Sequence, residues 1–329
     1  MRLSRRLTLT LACICALAAP SGASAGIKSI WGPETLPDGS SAFPLYKKLG
    51  VEDFQTVVPW SLVAPTRPTN PRDPADPAYQ WSAQLDLVMA EARRNGIDVT
   101  LIMNTTPPWA NGNLPANYAP LNAADFGDFA HAVSKRYPSV RRFSVWSEAD
   151  RPSNFRTAGP QVSWPREFAK VLDAGYVGLK QAGPRDIVIA GATDTAGDIR
   201  PRNWLDLMKL PNGKRPRLDW WGHNAFSARF PDLSDKPFRS APGTRDLNDI
   251  DTFIGEIRKR YGRKTKMWIS EYGIQTDRGS TVFNFFVTRK VQARWLRATY
   301  GELRKAPYVA GIGWYRLLDD GDQRWGLYT

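Results

Sequence analysis

Eight apolar runs of strand length recur along the chain, separated by segments with helical spacing. The runs cover residues 27–33, 54–60, 97–104, 142–147, 186–192, 218–225, 266–271 and 309–315, and the helical segments cover 42–49, 82–95, 122–137, 163–181, 203–210, 247–261 and 285–305. Most of these runs are apolar throughout, as strands covered on both faces must be. Strand and helix in regular alternation argue for a parallel sheet. Eight units argue for its closure into an α/β (β/α)8 TIM barrel, with an open doubly wound sheet as the alternative. A full eighth helix does not fit into 319–329, so the barrel lacks its outer closing element or the sequence is truncated.

Local signals set several boundaries. Ser82 stands where an N-cap is needed, Leu85, Val88, Met89 and Ala92 fall on one face, and Gly96 stops the helix. Phe126, Phe129, Ala130 and Val133 form a similar stripe in the next helix. Residues 64–77 are rich in proline and aspartate, which excludes both helix and central strand. So long a loop on a compact domain is usually functional or a lid.

Residues 1–25 read as a removable signal peptide ahead of one domain spanning 26–329. Arg2, Arg5 and Arg6 precede an apolar stretch too short to span a bilayer, and Ala23-Ser24-Ala25 is a small-residue cleavage signal. The expected product is secreted and has no membrane span after cleavage. Cys13 and Cys15, the only cysteines, lie in the leader, so the mature chain has neither disulfide nor thiol chemistry. Net charge is +13, and loss of the leader arginines leaves +10. That excess suits an acidic or cell-surface polysaccharide, and equally an arginine-rich proteome. Basic residues are scattered without a nucleic-acid-binding motif, so no nucleic-acid partner is expected. With no glycine-rich phosphate loop, and only His131 (on a helix, at the surface) and His223, neither cofactor nor metal is expected.

Two segments carry the chemistry. Phe143-Ser144-Val145-Trp146-Ser147-Glu148 and Lys266-Met267-Trp268-Ile269-Ser270-Glu271 are each a buried strand ending abruptly in an acid. Active sites of such barrels sit at the carboxyl ends of the strands, so Glu148 and Glu271 are placed at one mouth. Two carboxyl groups facing each other are the machinery of glycoside hydrolysis: one protonates the leaving oxygen and the other stabilises or attacks the anomeric carbon. Mutual repulsion keeps the acid protonated. Trp31, Trp60 and Asn104 end the first three strands and are candidates for lining the same mouth. Trp109 is a candidate sugar platform, and His223, ending the sixth strand, a partner for a sugar hydroxyl or a carboxylate.

The strand ending in Glu148, and Ile269-Ser270-Glu271-Tyr272-Gly273, resemble the retaining glycoside hydrolases built on (β/α)8 barrels. Val63-Ala64-Pro65-Thr66-Arg67-Pro68, Thr106-Pro107-Pro108-Trp109-Ala110-Asn111 and Trp220-Trp221-Gly222-His223-Asn224 are similar to secreted actinobacterial family 39-like and PslG-type polysaccharide hydrolases. The resemblance implies that Glu148 is the acid/base and Glu271 the nucleophile of a retaining β-glycosidase acting on a polysaccharide or glycoconjugate. It implies that Trp314 stacks on sugar, and adds Ser147, Asn224 and Tyr272 as substrate-binding candidates.

The departures are specific. Ser147 replaces an Asn that bonds the sugar 2-hydroxyl, Ala149 and Asp150 replace Pro and Asn, and Phe226 replaces a Tyr beside the nucleophile. Losing both polar contacts would cost about a few kcal/mol at the transition state, on the order of 10²-fold in rate. The alternative expectation is therefore a weak or inactive carbohydrate-binding barrel.

Overall fold

The computed structural model describes residues 26–328 apart from 238, 282 and 322; the expected leader lies outside the described residues. The barrel strands are β1 (Ile27–Trp31), β2 (Asp53–Pro59), β3 (Asp98–Asn104), β4 (Arg142–Ser147), β5 (Ile187–Asp194), β6 (Trp220–Asn224), β7 (Lys266–Tyr272) and β8 (Val309–Tyr315). Every neighbouring pair is parallel, and β1 pairs with both β2 and β8, closing the barrel. Helices α1 (Phe43–Lys48), α2 (Trp60–Val63), α3 (Ala83–Asn95), α4 (Pro108–Asn111), α5 (Ala123–Arg136), α6 (Trp164–Ala182), α7 (Pro201–Leu207), α8 (Ile250–Tyr261) and α9 (Arg289–Leu303) surround it.

The caps act as their chemistry requires. Ser82 Oγ accepts the Leu85 N–H, and Gly96 takes the left-handed conformation at φ 68° that ends α3. Asn122 caps α5 by accepting the Ala124 N–H at 3.1 Å. The last helix differs from expectation. Phe286–Val287 pairs with Gln275–Thr276 as a short parallel ladder, so α9 starts at Arg289. Among the described residues no helix follows β8. The chain instead folds back on itself: Leu317 N–H bonds Trp31 O, and Tyr328 N–H bonds Leu317 O.

Helices α5 and α6 cross at glycine. A Cβ on Gly178 would lie 1.9 Å from the Gly127 carbonyl oxygen. Gly178→Ala is expected to force the helices apart and destabilise the fold by about 3 kcal/mol, read as a lowered midpoint in urea with unchanged slope.

The amino-terminal end of the barrel is filled by an ion pair. Asp53 is fully buried and accepts bonds from Arg142 Nη2 at 2.7 Å, Ser29 Oγ at 2.6 Å and Thr100 Oγ1 at 2.9 Å. Above it, Gln55 Nε2 donates to Ser270 O at 2.7 Å, and Trp31 Nε1 donates to the same oxygen at 3.0 Å. Two donors on the carbonyl preceding Glu271 fix the direction in which β7 leaves the barrel.

Candidate active site

The carboxyl ends of β4 to β7 carry a row of polar side chains. Asp194 on β5 is in register with Asn224 on β6, and Asn224 with Glu271 on β7. Neighbouring strands lie about 4.8 Å apart, so consecutive members of this row can touch. Glu148 joins the row from the turn after β4. Trp146 and Glu148 both have positive φ, 71° and 45°. That backbone is disfavoured for non-glycine residues and clusters at functional sites. The turn is held by Trp146 Nε1, which donates to Asn154 O at 2.8 Å.

Glu148 and Glu271 open into one cavity of about 490 Å³. One wall is polar, with Glu148, Arg151, Asp194 and Glu271; the other is aromatic, with Phe226, Phe283, Tyr315 and Trp325. The four rings touch: Phe226 and Trp325 centroids are 5.2 Å apart, Phe283 and Trp325 5.4 Å, and Tyr315 and Trp325 5.9 Å. Trp325 comes from the returning segment after β8, the place where an eighth helix would otherwise begin.

Asn224 links the two acids. Its Nδ2 donates to Glu148 Oε1 at 2.8 Å, and its amide also interacts with Glu271, favouring the ionised form of each. Asn154 Nδ2 reaches the other Glu148 oxygen at 3.3 Å. Burial, then the charge of Asp194, raises the Glu148 carboxyl above its ordinary range. Burial, then the charges of Glu148 and Asp194, raises Glu271 further. Two like charges in one hollow cannot both ionise freely, so the pair retains one proton toward neutral pH.

Asp150 is also buried, and burial raises its carboxyl well above the usual range. Both its oxygens accept the Asp194 N–H, at 3.1 and 3.0 Å. It fastens the β4 turn to the end of β5. These raised carboxyls have a thermodynamic consequence. A carboxyl raised in the folded state stays neutral while the unfolded chain ionises, so its stabilising contribution is complete in acid. It is lost as pH climbs from the unfolded value through the folded one. Glu271→Gln is therefore expected to raise Tm at pH 8 and to change it little at pH 5, measured by thermal melts of both proteins across that range.

Several sequence candidates do not reach the cavity, for reasons of strand parity. Successive side chains point to opposite faces. On β7, Glu271 points in while Tyr272 points out, where it meets Trp314 edge-on at 6.0 Å. Trp314 is accordingly buried behind the barrel wall, and Tyr315, one position on, presents its ring to the cavity. On β6, Asn224 points in and His223 out. His223 is fully buried, with Nδ1 bonded to Thr193 Oγ1 at 2.9 Å and Nε2 to Arg245 O at 3.0 Å. Burial pushes its pKa down to about 4, which leaves a neutral, satisfied core histidine.

Trp60 ends no strand. It opens α2 and stacks on Phe129 with centroids 5.6 Å apart. Trp109 is clamped edge-on against Trp60, donates Nε1 to Ala64 O at 2.8 Å, and carries Arg67 over its face at 4.3 Å. It anchors the long 64–77 loop. Trp31, Asn104 and Ser147 are half-buried at the ends of β1, β3 and β4, outside the described cavity lining. His131 is half-buried with Nδ1 against Gly178 O at 3.2 Å.

Sequence reasoning missed Asp194, Arg151, Tyr315 and Trp325. Asp194 carried the same signal as the two glutamates, since β5 ends in an acid two residues beyond the expected boundary. Among the described residues no group of three or more His, Cys, Asp or Glu side chains is placed to hold a metal ion.

No family model and no curated protein matches the sequence. Solved structures do match. A family 39 glycoside hydrolase from the gut symbiont Bacteroides cellulosilyticus superposes with a TM-score of 0.63 at 15% identity, over 93% of this chain and 60% of that one. A glucosidase from Croceicoccus marinus gives 0.67 at 14% identity, over 92% and 64%. A β-glucosidase from Thermotoga maritima gives 0.57 at 12% identity, over 90% and 85%. The fold is the (β/α)8 barrel that these glycoside hydrolases share. This chain spans less than two thirds of the length of the first two.

Proposed function

We propose that this protein is a retaining β-glycosidase acting on O-glycosidic bonds of a polysaccharide or glycoconjugate. The observation that carries the reading is the meeting of Glu148 and Glu271 in one open cavity, joined through the Asn224 amide. Glu148 protonates the departing glycosidic oxygen while Glu271 attacks the anomeric carbon. Water, deprotonated by Glu148, then releases the sugar from Glu271 with its configuration retained. A pair that retains one proton can present one acid and one carboxylate; Glu271 is the more strongly raised of the two, so cleavage proceeds from the form in which that proton has passed to Glu148. The aromatic wall offers apolar faces to the C–H surface of a sugar ring.

Phe226 has no hydroxyl to orient Glu271, and the amide of Asn224, two residues earlier at the end of β6, takes over that task. The polar wall carries three carboxyls against one guanidinium, which favours an uncharged sugar at the point of cleavage. The chain's excess of positive charge then serves only more distant parts of an acidic polymer or surface. The leader at 1–25 supports export, and no helix among the described residues is long and apolar enough to cross a membrane. The motif likeness to family 39-like and PslG-type enzymes supports a polymeric substrate.

The test is turnover of a panel of aryl β-glycosides, with the first-formed anomer followed by NMR. The β-anomer is expected first. The competing reading, a barrel that binds carbohydrate without cleaving it, is favoured by the missing hydroxyl at Phe226. It predicts calorimetric sugar binding with no turnover on any member of the panel.

A further inference from the structure

The cavity holds a third carboxyl group that glycoside cleavage does not require. Asp194 comes from β5, between the strands bearing the two glutamates, and its side chain is 9% exposed. It is rigidly built. Its Oδ1 accepts the Ala196 N–H at 2.7 Å and is ion-paired with Arg151 Nη2 at 2.8 Å, and its own N–H is held by Asp150. Arg151 straddles the two acids: its Nε lies 3.6 Å from Glu148 Oε2, too far for a hydrogen bond, and that buried Nε has no other partner. The guanidinium is thus shared: its close contact goes to Asp194 at 2.8 Å, and Glu148 receives the longer ion pair at 3.6 Å.

We propose that Asp194 is a positioning residue that favours the proton on Glu148, by taking the closer share of the Arg151 guanidinium and by placing a negative charge beside the acid. The inference rests on the glycosidase reading above. Groups facing Glu148 come from every surrounding element: Asp150 and Arg151 from its own turn, Asp194 from β5, Asn224 from β6, Glu271 from β7 and Tyr315 from β8, while Arg316 just after β8 acts on Glu271. His223 of β6 lies behind the wall and is neutral. Of these, Asp194 and Glu271 favour the protonated acid and Arg151 opposes it. Asp194 alone does so both directly and through Arg151.

The experiment compares Asp194→Asn and Arg151→Gln with the wild-type protein. In Asp194→Asn the alkaline limb of the kcat/KM profile is expected to move down by about one pH unit, a tenfold loss on its slope. Phenyl glycosides, which need the acid, should lose about tenfold at pH 7.5, and dinitrophenyl glycosides, which leave unaided, should lose little. In Arg151→Gln the limb should move up. An unmoved limb, or an equal loss on both leaving groups, overturns the inference. A protein with no turnover defeats the glycosidase reading rather than this one. The Glu148 carboxyl, followed by carbon NMR titration, then decides: a lower midpoint in Asp194→Asn supports the role, and an unchanged midpoint refutes it.

Discussion

Glu271→Ala is expected to lower turnover of aryl β-glycosides by about 10⁴-fold or more while leaving sugar binding measurable. The loss follows from the site's geometry. Glu271 ends a strand whose preceding carbonyl is clamped by Gln55 and Trp31, so its carboxyl is aimed before substrate arrives. In the proposed mechanism no covalent intermediate forms without it, and neither neighbouring acid is placed to substitute. Asp194 is tied to Arg151 and Asp150 lies buried beneath the turn. Burial and two neighbouring charges disfavour ionisation of Glu271, so its removal relieves the fold where it would otherwise ionise, and the variant should melt no lower than the wild type at pH 8. Lost activity with retained Tm and retained calorimetric binding separates a chemical role from a structural one.

Asp53→Ala is expected to be the most destabilising change at the opposite end of the barrel. It would strip Arg142, whose side chain is 7% exposed, of its buried partner. The remaining Asp98 contact is mostly solvated, with that carboxyl 72% exposed. Burial itself raises the Asp53 carboxyl, so the pair is no source of free stability. Breaking one half nevertheless leaves a desolvated guanidinium, with a loss of about 3–5 kcal/mol. Tm should fall by roughly 5–10 °C in calorimetry. A double change replacing both Asp53 and Arg142 by apolar residues of similar volume should recover much of that loss.

The eight-unit rhythm was readable because each strand is a short apolar run bounded by proline, glycine or a cap. Glu148 and Glu271 stood out for the same reason, as charges that terminate buried strands. What escaped was parity. Where a strand is apolar on both faces, composition does not say which residue points inward, and a shift of one position exchanges core for cavity. Trp314 was read as facing the mouth and Tyr315, one position on, lines it; of the candidates His223 and Asn224, Asn224 alone reaches the acids. Trp60 was misplaced by one residue across the junction of β2 and α2, enough to turn its ring toward Phe129 in the helical layer. Trp325 gave no local signal at all, because it reaches the cavity through the fold-back after β8. Asp194 was legible in principle; a strand extended by two residues would have placed a third acid in the row.

If two glutamates cleave a glycosidic bond through a covalent step, the glycosyl-enzyme between them can be trapped. The protein would be incubated with fluorinated aryl β-glycosides that form the intermediate faster than they release it, then digested and mapped by mass spectrometry. A single glycosyl adduct on Glu271, absent from Glu271→Ala, is the expected result. An adduct on any other residue, or hydrolysis that yields the inverted anomer with no adduct, would remove Glu271 from the nucleophile's role.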